Sequence, residues 1–251
     1  QLPTVGQSRR ASIQPVVFDL HLRDEALAAV SRMATTRDIS EFSIVSLLLK
    51  ATVLAVRMAS SSEISCVVPA FGAFPNRLPR DVLESVGGFA NSAIIASELQ
   101  ARDTLTAAAT REAQEIFVSS CHQDLPHALI TKALEPRLYG IRYWGSLDQI
   151  PHYLNLDMPS AMDASLNTPQ GLRLSAVLPA PELPRSGLRM IAKRDATWTI
   201  EVRYDPHVYS EDLMELFRAF WTTITESWLR HPESPLESVL KLTLRSSTPD
   251  V

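Results

Sequence analysis

Apolar and polar positions alternate through Phe18, Leu20 and Leu22, with Asp19, His21 and Arg23 between them, which is the period-two signature of a half-buried strand. The period then lengthens. Leu27, Val30, Met33 and Ala34 recur at helical spacing. Ser40 stands where a side-chain N-cap would start a second helix carrying Phe42, Val45, Leu49, Thr52, Val53 and Val56. That helix has few polar positions on any side, so it is expected at the centre of the fold. A β-branched run at 64–68 closed by Pro69 predicts a strand, and the two prolines of Phe74-Pro75-Asn76-Arg77-Leu78-Pro79 predict a loop. Residues 93–96 read as another short strand, and Thr104 opens a helix with Leu105, Ala109, Ala113 and Ile116 in register.

Prolines at 136, 151, 159, 169, 179, 181 and 184 cut the next stretch into short pieces, in which Leu172, Leu174, Ala176 and Leu178 suggest a strand. The clearest alternation follows, with Trp198, Ile200, Val202 and Tyr204 against Thr199, Glu201 and Arg203, turned by Asp205-Pro206. Ser210, with Glu211 and Asp212 behind it, starts a long helix whose apolar face runs Leu213, Leu216, Phe217, Phe220, Ile224 and Trp228 until His231-Pro232. No internal repeat is visible. Strands and helices are mixed without the regular alternation of a doubly wound sheet, so the predicted class is α/β (α+β), a mixed sheet flanked by helices.

At 251 residues, 45% hydrophobic and 21% charged, the chain can bury one full core. Residues 1–12, with Pro3, Gly6 and Arg9-Arg10, read as a linker, 13–244 as the folded body and 245–251 as a tail. A formal charge of −4 with interspersed signs offers no counterion-release surface, so nucleic acid is not expected as a partner. Cys66 and Cys121 lack metal-ligand spacing and read as small apolar residues of a reducing compartment. The apolar run 42–58 contains Lys50 and Arg57 and is shorter than a membrane span needs, so it reads as a buried helix and no membrane partner is expected. No charged-then-apolar segment opens the chain, and a cytoplasmic location is the expectation. Asp148 and His152 are four apart, but Pro151 between them and the lack of a nearby third ligand argue against a metal site. Tyr143-Trp144-Gly145-Ser146 is only half of a nucleophile elbow.

Two short segments carry more chemistry. Val86-Gly87-Gly88-Phe89-Ala90-Asn91-Ser92 and Cys121-His122-Gln123-Asp124-Leu125-Pro126 are separated by one strand and one helix. They resemble two signatures of the condensation domains of nonribosomal peptide synthetases, Val-Gly-x-Phe-Val-Asn-Thr and His-Gln-Asp-x-Pro-Phe. Ala90 and Ser92 depart mildly from the first, and His127 and Ala128 stand where the second has Phe and Glu. Pro75-Asn76-Arg77 occupies the place of an Arg-Asn-Arg-like loop. The succession of elements follows the C-terminal lobe of such a domain over nearly the whole chain, with 13–244 as the lobe. The family's His-His-x-x-x-Asp-Gly motif, which carries its base, occurs nowhere in the 251 residues.

The resemblance implies a chloramphenicol acetyltransferase-like fold of two lobes around a channel, of which this chain would supply one. It also implies acyl transfer from a carrier-protein thioester to an amine, with no directly bound cofactor and a phosphopantetheine arm as substrate carrier. The partners it implies are a carrier protein and an N-terminal lobe, or self-association. Gly87, Asn91, His122, Gln123 and Asp124 are the candidate channel residues, and no catalytic residue is assigned. Gly87 suits close backbone packing or a bulge. His122 reads either as a base or, with Asp124, as the hydrogen-bonded start of a helix. Asn91 reads either as a substrate-orienting amide or as a partner for buried backbone. Arg9-Arg10 and Arg77 with Arg80 could meet an acidic carrier or a phosphate, or form a solvated surface. The alternative function is a non-catalytic module that recruits a carrier protein or tailoring enzyme. Under either function a lone lobe should leave an apolar face for a partner to cover.

Overall fold

The computed structural model describes residues 15–60, 70–75, 90–95, 98–122, 125, 126, 129, 133, 152–155, 166, 167, 173, 174, 188–194 and 196–246. Its elements run β1 (Val16–His21), α1 (Asp24–Arg37), α2 (Glu41–Ser60), β2 (Ala70–Pro75), β3 (Ala90–Ile95), α3 (Leu105–Cys121), β4 (His152–Asn155), β5 (Leu166–Asn167), β6 (Arg173–Leu174), β7 (Leu188–Arg194), β8 (Trp198–Tyr204), α4 (Glu211–Arg230) and α5 (Leu236–Ser246). Six strands form one mixed sheet in the order β1-β8-β7-β4-β2-β3, and β5 pairs with β6 apart from it. The pairs β1–β8, β8–β7 and β2–β3 are antiparallel, while β4 runs parallel to both neighbours. This is the expected mixed sheet with helices.

Helix α2 lies at its centre. Every residue from 42 to 57 is buried, because α1, α3, α4 and α5 all pack against it. Ser40 caps it as its sequence suggested, its Oγ accepting the Ser43 N–H at 3.1 Å. At 20 residues α2 is longer than the apolar run had implied, and the stretch Glu41–Ala59 is long and apolar enough to cross a membrane. Yet 89% of that apolar window is buried inside the protein, as befits a core helix.

The β8 alternation places Trp198, Ile200, Val202 and Tyr204 in the same core, with Thr199, Glu201 and Arg203 half-buried on the other side. Glu201 stands opposite Asp19 of β1, a like-charge pairing that costs stability. Lys193, at 2.9 Å, and Arg203 both bind Glu201. Burial would raise its carboxyl, but these two hydrogen bonds and charges outweigh burial and hold it below the ordinary range. Helix α4 clamps β1: Arg218 lies over the Phe18 ring at 4.5 Å, and Trp221 Nε1 donates to the His21 carbonyl at 3.3 Å. The caps expected at Thr104 and Ser210 accept from the Ala107 and Leu213 N–H groups.

Several readings need correcting. The proline loop expected at 74–79 begins inside a strand, since β2 runs to Pro75. Pro75 is its last residue, beyond the 71–73 stretch paired with β4, where a missing N–H is tolerated. The strand expected at 64–68 lies outside the described residues, as do Cys66, Asp148, Tyr143 to Ser146 and the arginines at 9, 10, 77 and 80. Cys121 is exposed rather than packed as an apolar residue. Strands β4 and β7 had not been foreseen, and neither had α5, which continues past 244 to Ser246.

One carboxylate ties three of these layers. Glu41, at the start of α2, accepts from Ser31 of α1, from Arg194 of β7 at 2.9 Å and from Trp198 Nε1 of β8 at 2.8 Å. Burial alone would raise its carboxyl, but the three hydrogen bonds and the Arg194 charge outweigh burial and lower it from about 4.5. A depressed carboxylate contributes stability that is present above its unfolded value and lost as pH falls through the folded value. Urea unfolding should therefore show Glu41→Gln destabilised at neutral pH, with the gap from the unaltered protein closing as pH falls below about 4.5. A gap independent of pH would contradict this assignment.

Candidate functional site

The two motif segments sit on consecutive elements. Asn91 is the second residue of β3, opposite Phe74 of β2. His122 is the C-cap of α3, its backbone N–H donating to the Ser119 and Ser120 carbonyls and its own carbonyl accepting from the Leu125 N–H at 3.1 Å. His122 thus ends α3, while the helix start read for it together with Asp124 falls on residues mostly outside the described ones, where the Leu129 N–H donates to the Pro126 carbonyl at 2.8 Å. Its side chain is exposed at that end. Gly87, Gln123 and Asp124 lie outside the described residues. Among the described residues no group of three or more His, Cys, Asp or Glu side chains is placed to hold a metal ion.

What joins the two motif-bearing elements is a pair that sequence inspection did not connect. Lys50 projects from the centre of α2 and Glu112 from α3, and both side chains are wholly inaccessible to solvent. Lys50 Nζ lies 2.8 Å from Glu112 Oε2 and donates to the carbonyl of Ile95, the last residue of β3, at 3.3 Å. The Ser46 hydroxyl donates to Glu112 Oε1 at 2.5 Å. One ammonium therefore holds the end of the Asn91 strand and the middle of the His122 helix against the same core helix. Burial pulls the Lys50 ammonium below the usual lysine value, and the Glu112 charge opposes that pull. Lys50 had been noticed only as a charge interrupting an apolar run; Glu112 lies 62 residues away, a separation with no periodicity to reveal it.

A second buried joint fixes the start of α3. Asp103 accepts from the Gln100 N–H at 2.7 Å and from Arg111 Nη1 at 3.0 Å. The 101–103 turn in turn supplies carbonyls to the first N–H groups of α5, Leu236 to Asp103 at 2.8 Å and Glu237 to Ala101 at 3.0 Å. These contacts orient α3. Among the described residues, none of these contacts pairs a base with a nucleophile.

With this geometry in place, the fold can be compared with solved structures. A four-domain nonribosomal peptide synthetase bound to AMP and glycine matches with a TM-score of 0.69 at 14% identity over 94% of this chain and 18% of its own. The condensation domain of the monacolin K polyketide synthase MokA matches with a TM-score of 0.67 at 14% identity, covering 94% of this chain and 54% of that one. The teicoplanin X-domain, in complex with OxyB, matches with a TM-score of 0.65 at 15% identity over 95% of this chain and 52% of its own. The chain has the fold of a condensation-domain lobe. It spans about half the length of the condensation-domain and X-domain chains it matches. No family model and no curated protein matches.

Removing one member of the buried pair should be costly, whereas removing both should not. Lys50→Met strands the Glu112 carboxylate in the core and should cost about 3–5 kcal/mol in urea unfolding. Lys50→Met with Glu112→Leu should return to within about 1 kcal/mol of the unaltered protein. A single variant as stable as the unaltered chain would show that the pair is not desolvated as described.

Proposed function

We propose that this chain is the C-terminal lobe of a condensation-type domain, working with an N-terminal lobe in a cytoplasmic nonribosomal or hybrid polyketide assembly. The observation that carries this reading is a conjunction. The fold matches about half of condensation-domain chains over nearly its whole length, and the 251 residues contain no His-His-x-x-x-Asp-Gly. On this reading the reaction is attack of an amine on a carrier-bound thioester, forming the amide bond and releasing the carrier thiol. The other lobe's imidazole handles the amine proton. Asn91 and the His122 end of α3 line the wall along which the phosphopantetheine arm lies, and their part is to position and to exclude water.

A second reading has its own support. An X-domain that matches as well as the condensation domains do is seen in complex with OxyB, so a fold of this kind also serves to recruit a partner. In that case the chain binds a carrier protein or tailoring enzyme by surface contact and transfers no acyl group.

Incubation with carrier-bound acyl and aminoacyl thioesters, followed by mass spectrometry of the carriers, separates the readings. The chain alone should form no amide, and addition of an N-terminal lobe bearing the His motif should start product formation. Turnover by the chain alone contradicts both readings. Carrier or tailoring-enzyme binding without product, even with that lobe present, favours recruitment.

A further inference from the structure

Stability alone does not account for Lys50 and Glu112. An apolar pair of similar volume would fill the space between α2 and α3 about as well, because desolvation offsets most of what a buried ion pair gains. Apolar contacts are also non-directional and tolerate sliding, whereas a hydrogen bond holds its donor and acceptor to about 3 Å along a preferred line. What separates the two kinds of contact is placement.

The hydrogen bonds at this point act on the passage from β3 into α3. Strand β3 ends the six-stranded sheet, paired with β2, and it packs on α3. From α2, the Lys50 ammonium donates to the carbonyl of Ile95, the last residue of β3, at 3.3 Å and to Glu112 of α3 at 2.8 Å. From α3, Arg111 donates to the Glu98 carbonyl at 3.2 Å and to Asp103 at 3.0 Å. The end of β3 and the segment after it are thus held from two helices at once. Asn91 stands four positions before Ile95, about 13 Å along a strand. His122 stands ten positions beyond Glu112, about 15 Å along a helix.

We infer that Lys50 and Glu112 are positioning residues, which fix β3 and α3 against α2 and so set where Asn91 and the His122 end of α3 stand during amide formation. This rests on the acyl-transfer reading above. Loss of the pair moves elements and removes no reacting group, yet a displacement of about 1 Å at a reacting centre costs about 100-fold in rate.

The test takes two readouts on the paired variant Lys50→Met with Glu112→Leu, which keeps the core filled and should keep its urea midpoint within about 0.5 M of the unaltered chain. In native-state hydrogen exchange of the intact chain, peptides covering 90–95 should exchange at least about 10-fold faster than in the unaltered protein, while those covering α4 keep their rates. With an N-terminal lobe and a panel of acetyl-, octanoyl- and aminoacyl-loaded carriers, kcat should fall about 10- to 100-fold and KM for either carrier should stay within about 2-fold. Unchanged exchange at 90–95 overturns the inference, whether or not amide forms. Faster exchange with an unchanged kcat, or with a loss confined to KM, overturns it too. A lowered midpoint with faster exchange in every peptide marks the pair as merely structural and has the same result. If the unaltered chain forms no amide with that lobe, the acyl-transfer reading fails, and exchange at 90–95 alone decides whether the pair places β3.

Discussion

The structure depends on burying a charged residue in the middle of its central helix. Helix α2 is enclosed on every side from residue 42 to 57, and a lysine at such a position is admissible only if an anion meets it there. Glu112 does so, with Ser46 on its other oxygen and the Ile95 carbonyl sharing the ammonium. A buried pair of this kind adds little net stability over an apolar packing, since desolvation consumes most of the Coulombic gain. What it does is couple the elements: an arrangement that moved α3 away from α2 would strand a charge in the core.

That constraint ties together elements that carry separate motifs. Asn91 and His122 lie 31 positions apart in the chain, on elements whose mutual placement the pair fixes. Glu41 does similar work at the start of α2, gathering α1, β7 and β8 on one carboxylate. Together the two anchors hold α1, α3, β3, β7 and β8 to α2.

The sequence disclosed the elements whose physics is local. Strand β8 alternates cleanly because one of its sides is core and the other is half-solvated. The helices α2, α3 and α4 announce their starts because Ser40, Thr104 and Ser210 are side-chain caps. Helix α5 escaped notice because its first N–H groups are satisfied by carbonyls of the 101–103 turn, more than 130 residues upstream, and because its inner face includes a buried Thr243 that bonds back to Val239. Strand β7 was missed because Ile191 breaks its alternation, being buried on the side opposite Met190 and Ala192. Of the candidate site, the two motif positions were legible as strings. The ion pair behind them was not, since contact between α2 and α3 is a tertiary fact.

The claim that α2 is the element around which the lobe closes is most directly tested by native-state hydrogen exchange on the intact chain, read peptide by peptide against urea concentration. The account predicts that amides in residues 43–57 exchange only through global unfolding and carry the largest opening free energy in the molecule. Exchange of those amides through a smaller, local opening, ahead of α1 or α4, would contradict it.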